Sequence, residues 1–135
     1  MTHITSMIET HPHDTAGLDV QTLADCIAAC LECAQTCTAC ADACLAEDMV
    51  ADLRSCIRLN LDCADLCATT GKLLSRRTGQ NLATVKAALE ACIIACQACG
   101  DECEQHAGMH EHCRICAEAC RACEAACRQL LTAFT

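Results

Sequence analysis

Residues 26–44 read CIAACLECAQTCTACADAC. The cysteines are Cys26, Cys30, Cys33, Cys37, Cys40 and Cys44, separated by steps of 4, 3, 4, 3 and 4. That alternation marks the inward seam of a packed helix, a place usually held by Leu, Ile and Val. Here each of these seam positions is a thiol. Ala is the commonest residue in the places between, which favours helix formation. Glu32, Gln35 and Asp42 fall on the outer side. The stretch predicts a helix with one face made of sulfur.

The same register recurs three more times. The first segment extends over residues 18–46. A second, over 48–76 with Asp48 as its expected N-cap, has the seam Met49, Leu53, Cys56, Asn60, Cys63, Cys67, Thr70 and Leu74. The turn Thr78-Gly79-Gln80 leads to Asn81, an expected N-cap, and to a third segment over 82–106. Its seam is Leu82, Val85, Leu89, Cys92, Cys96, Cys99, Cys103 and His106. Gly108 marks a break. The fourth segment, over 109–134, carries Met109, Cys113, Cys116, Cys120, Cys123, Cys127, Leu130 and Phe134. Residues 1–17 read as an arm, with Ile4, Met7 and Ile8 at helical spacing. Pro12 and Gly17 separate this arm from the rest. His3, His11 and His13 are candidate ligands that read better as solvated side chains.

Short connections make successive helices antiparallel, so the expected fold is all-α, an up-down-up-down four-helix bundle over residues 18–135. A seam period of about 3.5 predicts a left-handed supercoil. All four sulfur faces then meet in one thiol-lined core.

The chain of 135 residues suits one domain. It has one Phe, no Trp and no Tyr, so its apolar content is largely Cys and Ala. A net charge of −9 argues against nucleic acid or an anionic membrane as partner. No run is expected to reach the roughly 18–20 apolar residues of a membrane span. Residues 1–15 show no basic, apolar and cleavage-site pattern of a secretory leader. The expectation is therefore a cytosolic protein whose 18 cysteines stay reduced. Helical geometry agrees, since Cβ atoms at i and i+4 lie about 5–6 Å apart, too far for a disulfide.

One or two seam cysteines would be ordinary small hydrophobes. Eighteen should leave a bundle underpacked, with room for something to fill it. Thiolates bind soft metals. Each bound thiol loses a proton, so one monovalent Cu(I) per thiolate leaves a neutral core. Zn²⁺ in Cys₄ sites leaves about −2 per site, which is costly to bury, and requires discrete tetrahedra. The loop spacings of iron–sulfur ligation are absent. If each Cu(I) bridges two thiolates and each thiolate two ions, capacity is about one ion per Cys, roughly 18 per chain. The alternatives are a zinc or iron–sulfur carrier and a thiol redox buffer or sensor. No catalytic grouping stands out; His106 and His110 are separated by Gly108 and do not form an H-E-x-x-H site.

The ladder Cys-x₃-Cys-x₂-Cys-x₃-Cys, repeated on four helices across residues 18–134, resembles the cytosolic copper storage proteins. The resemblance implies a four-helix bundle storing many Cu(I) ions and a homotetramer; a copper chaperone or a chelator is the expected donor. By the same resemblance, the second ladder can include an Asn, and Asn60 sits at that place. At one end of the expected bundle, His106, Met109 and His110 form a set of Cu(I) ligands beside Cys44, Cys56, Cys103 and Cys113. The other end reads as an apolar plug of Leu23, Leu74, Leu82, Val85, Leu89, Leu130 and Phe134. Surplus apolar residues Ile57, Leu59, Leu61, Leu66 and Leu73 mark the second helix as the expected subunit interface.

Overall fold

The computed structural model describes residues 2–134. Met1, in the expected arm, and Thr135, at the end of the expected bundle, lie outside the described residues. A short helix α1 (Thr2–Glu9) precedes four long ones: α2 (Val20–Leu45), α3 (Arg54–Ser75), α4 (Leu82–His106) and α5 (Glu111–Ala133). Helix α2 packs on α3, α3 on α4 and α4 on α5, and α5 closes the ring against α2. This is the expected up-down-up-down bundle.

Local chemistry sets the boundaries. Asp19 caps α2, its carboxylate accepting from Thr22 N at 3.0 Å and from the Thr22 hydroxyl at 2.9 Å. Asn81 caps α4, accepting from Thr84 N at 3.0 Å. Gly79, at φ 65°, makes the left-handed step in the turn between α3 and α4. The expected cap at Asp48 is not used. Instead a 3-10 turn, Val50–Leu53, leads into α3, and no side chain caps that helix. The tighter turn buries Leu53 completely, and this burial, not a cap, fixes where α3 begins. Met49, expected on the seam, is 39% exposed as a result.

The arm is a helix lying on α2. Eight residues are too few to hold a helix alone. Ile8 anchors it by burial, and the Arg77 guanidinium donates to Ile8 O at 3.0 Å and Asp14 O at 3.1 Å. Ile4 packs against the core, whereas Met7 points outward.

Two helices, Val20–Leu45 and Leu82–His106, are long and apolar enough by length and composition to cross a membrane. This corrects the expectation that no run comes near a span. Cys and Ala count as apolar, and in the fold the cysteines of both helices are turned into the bundle core.

Candidate metal centre

All eighteen cysteines are free and buried, the most exposed being Cys40 at 2%. The expected underpacking of the core is taken up by closer helix packing. Small seam residues let the helices draw together until sulfur touches sulfur. Along single helices, Cys33–Cys37 are 3.7 Å apart, Cys63–Cys67 3.8 Å and Cys99–Cys103 3.9 Å. Between helices, Cys56–Cys103, Cys37–Cys116 and Cys67–Cys96 are each 3.7 Å apart, and Cys26–Cys127 3.8 Å. These are contact distances, well beyond the roughly 2.05 Å of a disulfide bond.

The sulfurs gather in fours, all within 4.8 Å of one another. One group is Cys33, Cys63, Cys67 and Cys96, and another is Cys33, Cys37, Cys63 and Cys120. A third is Cys37, Cys99, Cys116 and Cys120. These three groups share members. The contact Cys67–Cys123 at 3.8 Å joins them to the group at one end, and Cys99–Cys103 at 3.9 Å with Cys56–Cys103 at 3.7 Å joins them to the group at the other, so the array is continuous and not a row of separate tetrahedra.

Asn60 is wholly buried within the ladder. Its Oδ1 accepts from Cys99 at 2.9 Å, Cys116 at 3.2 Å and Cys103 at 3.4 Å, and its Nδ2 donates to Cys56 at 3.7 Å. One amide thus ties three helices together.

At the end where α2 and α4 finish, the chain turns and reorders the expected set. Met109 is 68% exposed and sits off the seam, whereas His110 is buried. The turn through Gly108 rotates the backbone before α5 begins at Glu111, so the seam cannot be extrapolated backward from Cys113. His106 is half-buried and bonded to Glu102, Nε2 to Oε2 at 2.8 Å. Sequence reasoning missed His112 and Glu47. The His112 Nδ1 lies 3.4 Å from Cys40 Sγ and 3.6 Å from Cys113 Sγ, and its Nε2 meets Glu47 Oε2 at 2.8 Å. His110 Nδ1 meets the same oxygen at 3.0 Å. The signal available in the sequence was the pair His110-x-His112 against the first cysteine of α5.

Electrostatics follow from this packing. Burial lowers the His112 pKa, but the Cys40 thiol and the Glu47 carboxylate outweigh it and hold the ring above its ordinary value. The His112 hydrogen bond holds Glu47 below the usual carboxylate range. Burial pushes the Cys44 and Cys113 thiols up. The buried polar side chains among the described residues are Asn60, Thr70 and His110, with neither Lys nor Arg. The core therefore holds no fixed cation to balance thiolates.

The opposite end is apolar. Leu23, Leu74, Val85, Leu89 and Leu130 are buried there, each contributing roughly 2 kcal/mol by removal from water. Phe134 packs on this cluster, but Leu82 is 53% exposed and leaves the expected plug. As the first residue of α4, it lies beyond the partner helices.

A helical bundle with a continuous buried sulfur array and no internal cation defines a class: a thiolate scaffold for many soft monovalent ions. The sequence profile of the family described as copper storage protein matches residues 19–132. The chain belongs to the copper storage protein family. It is similar to the copper storage protein Ccsp from Streptomyces lividans loaded with 10 copper equivalents. The two are 56% identical with a TM-score of 0.94, over 96% of this chain and 98% of that one. A structure of copper loading to a cytosolic copper storage protein from the same organism, with five coppers, is 61% identical. Its TM-score is 0.82, over 83% of this chain and 93% of that one. A cysteine-rich protein of Bacillus subtilis, YhjQ, described as uncharacterized, is 38% identical over 69% of this chain and 81% of its own length.

Proposed function

We propose that this protein stores Cu(I), holding about one ion per Cys, roughly 18 per chain, by bridging thiolates. The observation that carries the reading is the shared membership of the sulfur groups in a core without Lys or Arg. Bridging needs shared sulfurs, and neutrality needs a monovalent ion. The ligands are Cys26, Cys30, Cys33, Cys37, Cys40, Cys44, Cys56, Cys63, Cys67, Cys92, Cys96, Cys99, Cys103, Cys113, Cys116, Cys120, Cys123 and Cys127. Asn60 supplies an oxygen within the array.

Ions are taken up at the histidine end. His106 and His110 belong to this mouth as read from the sequence, and His112 joins them on its contact with Cys40. Met109, exposed on the turn, serves as an outer contact only. The protein works in the cytosol, sequesters copper without transforming it, and receives it from a chaperone or a small chelator. It assembles as a homotetramer through α3, which carries Ile57, Leu59, Leu61, Leu66 and Leu73, with Leu61 exposed.

The test is competition. Reduced apo-protein is given Cu(I) and Zn²⁺ together in excess, desalted and analysed for metal. Copper should be recovered nearly alone. A zinc-dominated product would replace this reading with a zinc carrier.

A further inference from the structure

We propose that Glu47 is a positioning residue that fixes the tautomers of both His110 and His112, leaving each ring one bare nitrogen for Cu(I). The assignment rests on the histidine mouth proposed above. Both rings address one oxygen: His110 Nδ1 at 3.0 Å and His112 Nε2 at 2.8 Å from Glu47 Oε2. A carboxylate only accepts, so each of those nitrogens carries the proton in the neutral ring. The opposite nitrogens are then lone-pair donors. For His112 that nitrogen is Nδ1, already 3.4 Å from Cys40 Sγ and 3.6 Å from Cys113 Sγ. For His110 it is Nε2, which is buried and has no hydrogen-bond partner.

An orphaned buried acceptor is unusual in a folded protein. A bare lone pair on a buried ring is suited to binding a metal ion. The two rings are stacked, centroids 5.4 Å apart and 24° from parallel, so one carboxylate holds both in register. With an ion bound, the arrangement would form the carboxylate–histidine–metal relay of metal sites, in which the outer carboxylate sets tautomer and orientation. In this chain it serves two histidines from one residue just past the end of α2. Glu47 also reaches across the mouth from α2 to α5, so the ring positions depend on the packing of those two helices.

The test reads the tautomers directly in the apo-protein, by long-range ¹H–¹⁵N NMR of histidine-labelled samples. At a pH high enough to keep both rings neutral, wild type should show His110 protonated at Nδ1, the less favoured form of a free imidazole, and His112 protonated at Nε2. Glu47→Ala should return His110 to the Nε2–H form. Glu47→Gln, which keeps an acceptor oxygen, should preserve the wild-type pattern. Glu47→Ala should also slow the first phase of Cu(I) uptake by about tenfold, the low end of the effect of such outer partners. Its final capacity should be unchanged. An Nε2–H His110 in wild type, unchanged tautomers in Glu47→Ala, or a tautomer switch with normal uptake would each overturn the assignment. Failure of the underlying mouth reading is distinguishable. It would show as normal uptake in His110→Ala and His112→Ala, with the wild-type tautomers as stated.

Discussion

Replacing Asn60 by Ala removes the one amide in the sulfur array. Its Oδ1 receives three thiol hydrogens, from Cys99, Cys116 and Cys103. Thiols are weak donors, so each lost bond counts at the low end, about 0.5 kcal/mol. The side chain is 0% exposed, and its removal leaves a void worth roughly 1–2 kcal/mol. The apo bundle should lose roughly 2.5–3.5 kcal/mol in all. At roughly 4 °C per kcal/mol, its thermal midpoint should fall by about 10–14 °C. Copper capacity should fall by no more than about one ion, because Asn60 offers one oxygen ligand at most. The assays are anaerobic thermal unfolding of reduced protein and a copper count after saturation. An unchanged midpoint would refute the structural role given to the amide. A loss of several ions would refute the claim that thiolates carry nearly all of the store.

Other consequences can be measured alongside. Since burial holds Cys44 and Cys113 protonated at neutral pH, loading should release about one proton per ion, readable by pH-stat, and apparent Cu(I) affinity should weaken as pH falls. By the same sign, these raised thiols stabilise the apo fold below the ordinary thiol pKa of about 8.5, and that contribution should fade as pH rises through their folded values. Denaturant titrations from pH 7 upward check this. Copper binds the folded chain selectively, so the midpoint should rise with each increment of Cu(I); a flat midpoint in differential scanning calorimetry would contradict the linkage. Asp19→Ala should cost about 1 kcal/mol by uncapping α2, measured by chemical denaturation, with copper capacity unchanged.

The four long helices were legible because each seam repeats over enough turns to define a face. Cys26 through Cys44 and Cys113 through Cys127 leave one register open to them. Asn81 was legible as a cap because it follows a glycine turn and precedes a clean helical pattern. What escaped was confined to the ends. Asp48 has cap chemistry, but the burial of Leu53 in a 3-10 turn decided the start of α3. Met109 has the right spacing from Cys113, yet the backbone between His106 and Glu111 is not helical, so spacing carries no face there. Glu47 and His112 are 65 residues apart, and their meeting depends on how α2 and α5 abut, which no local pattern encodes. The closed sulfur core differs from the expected underpacked one for a related reason: small side chains lower the interhelical distance as readily as they leave a void.

The central claim is that nearly every thiol holds copper. The direct measurement is an anaerobic titration of the reduced apo-protein with Cu(I) against a competing chromogenic chelator, with ions counted per chain. The account predicts saturation near one ion per Cys, roughly 18. Saturation at about four ions or fewer, as a few discrete sites would give, would contradict it.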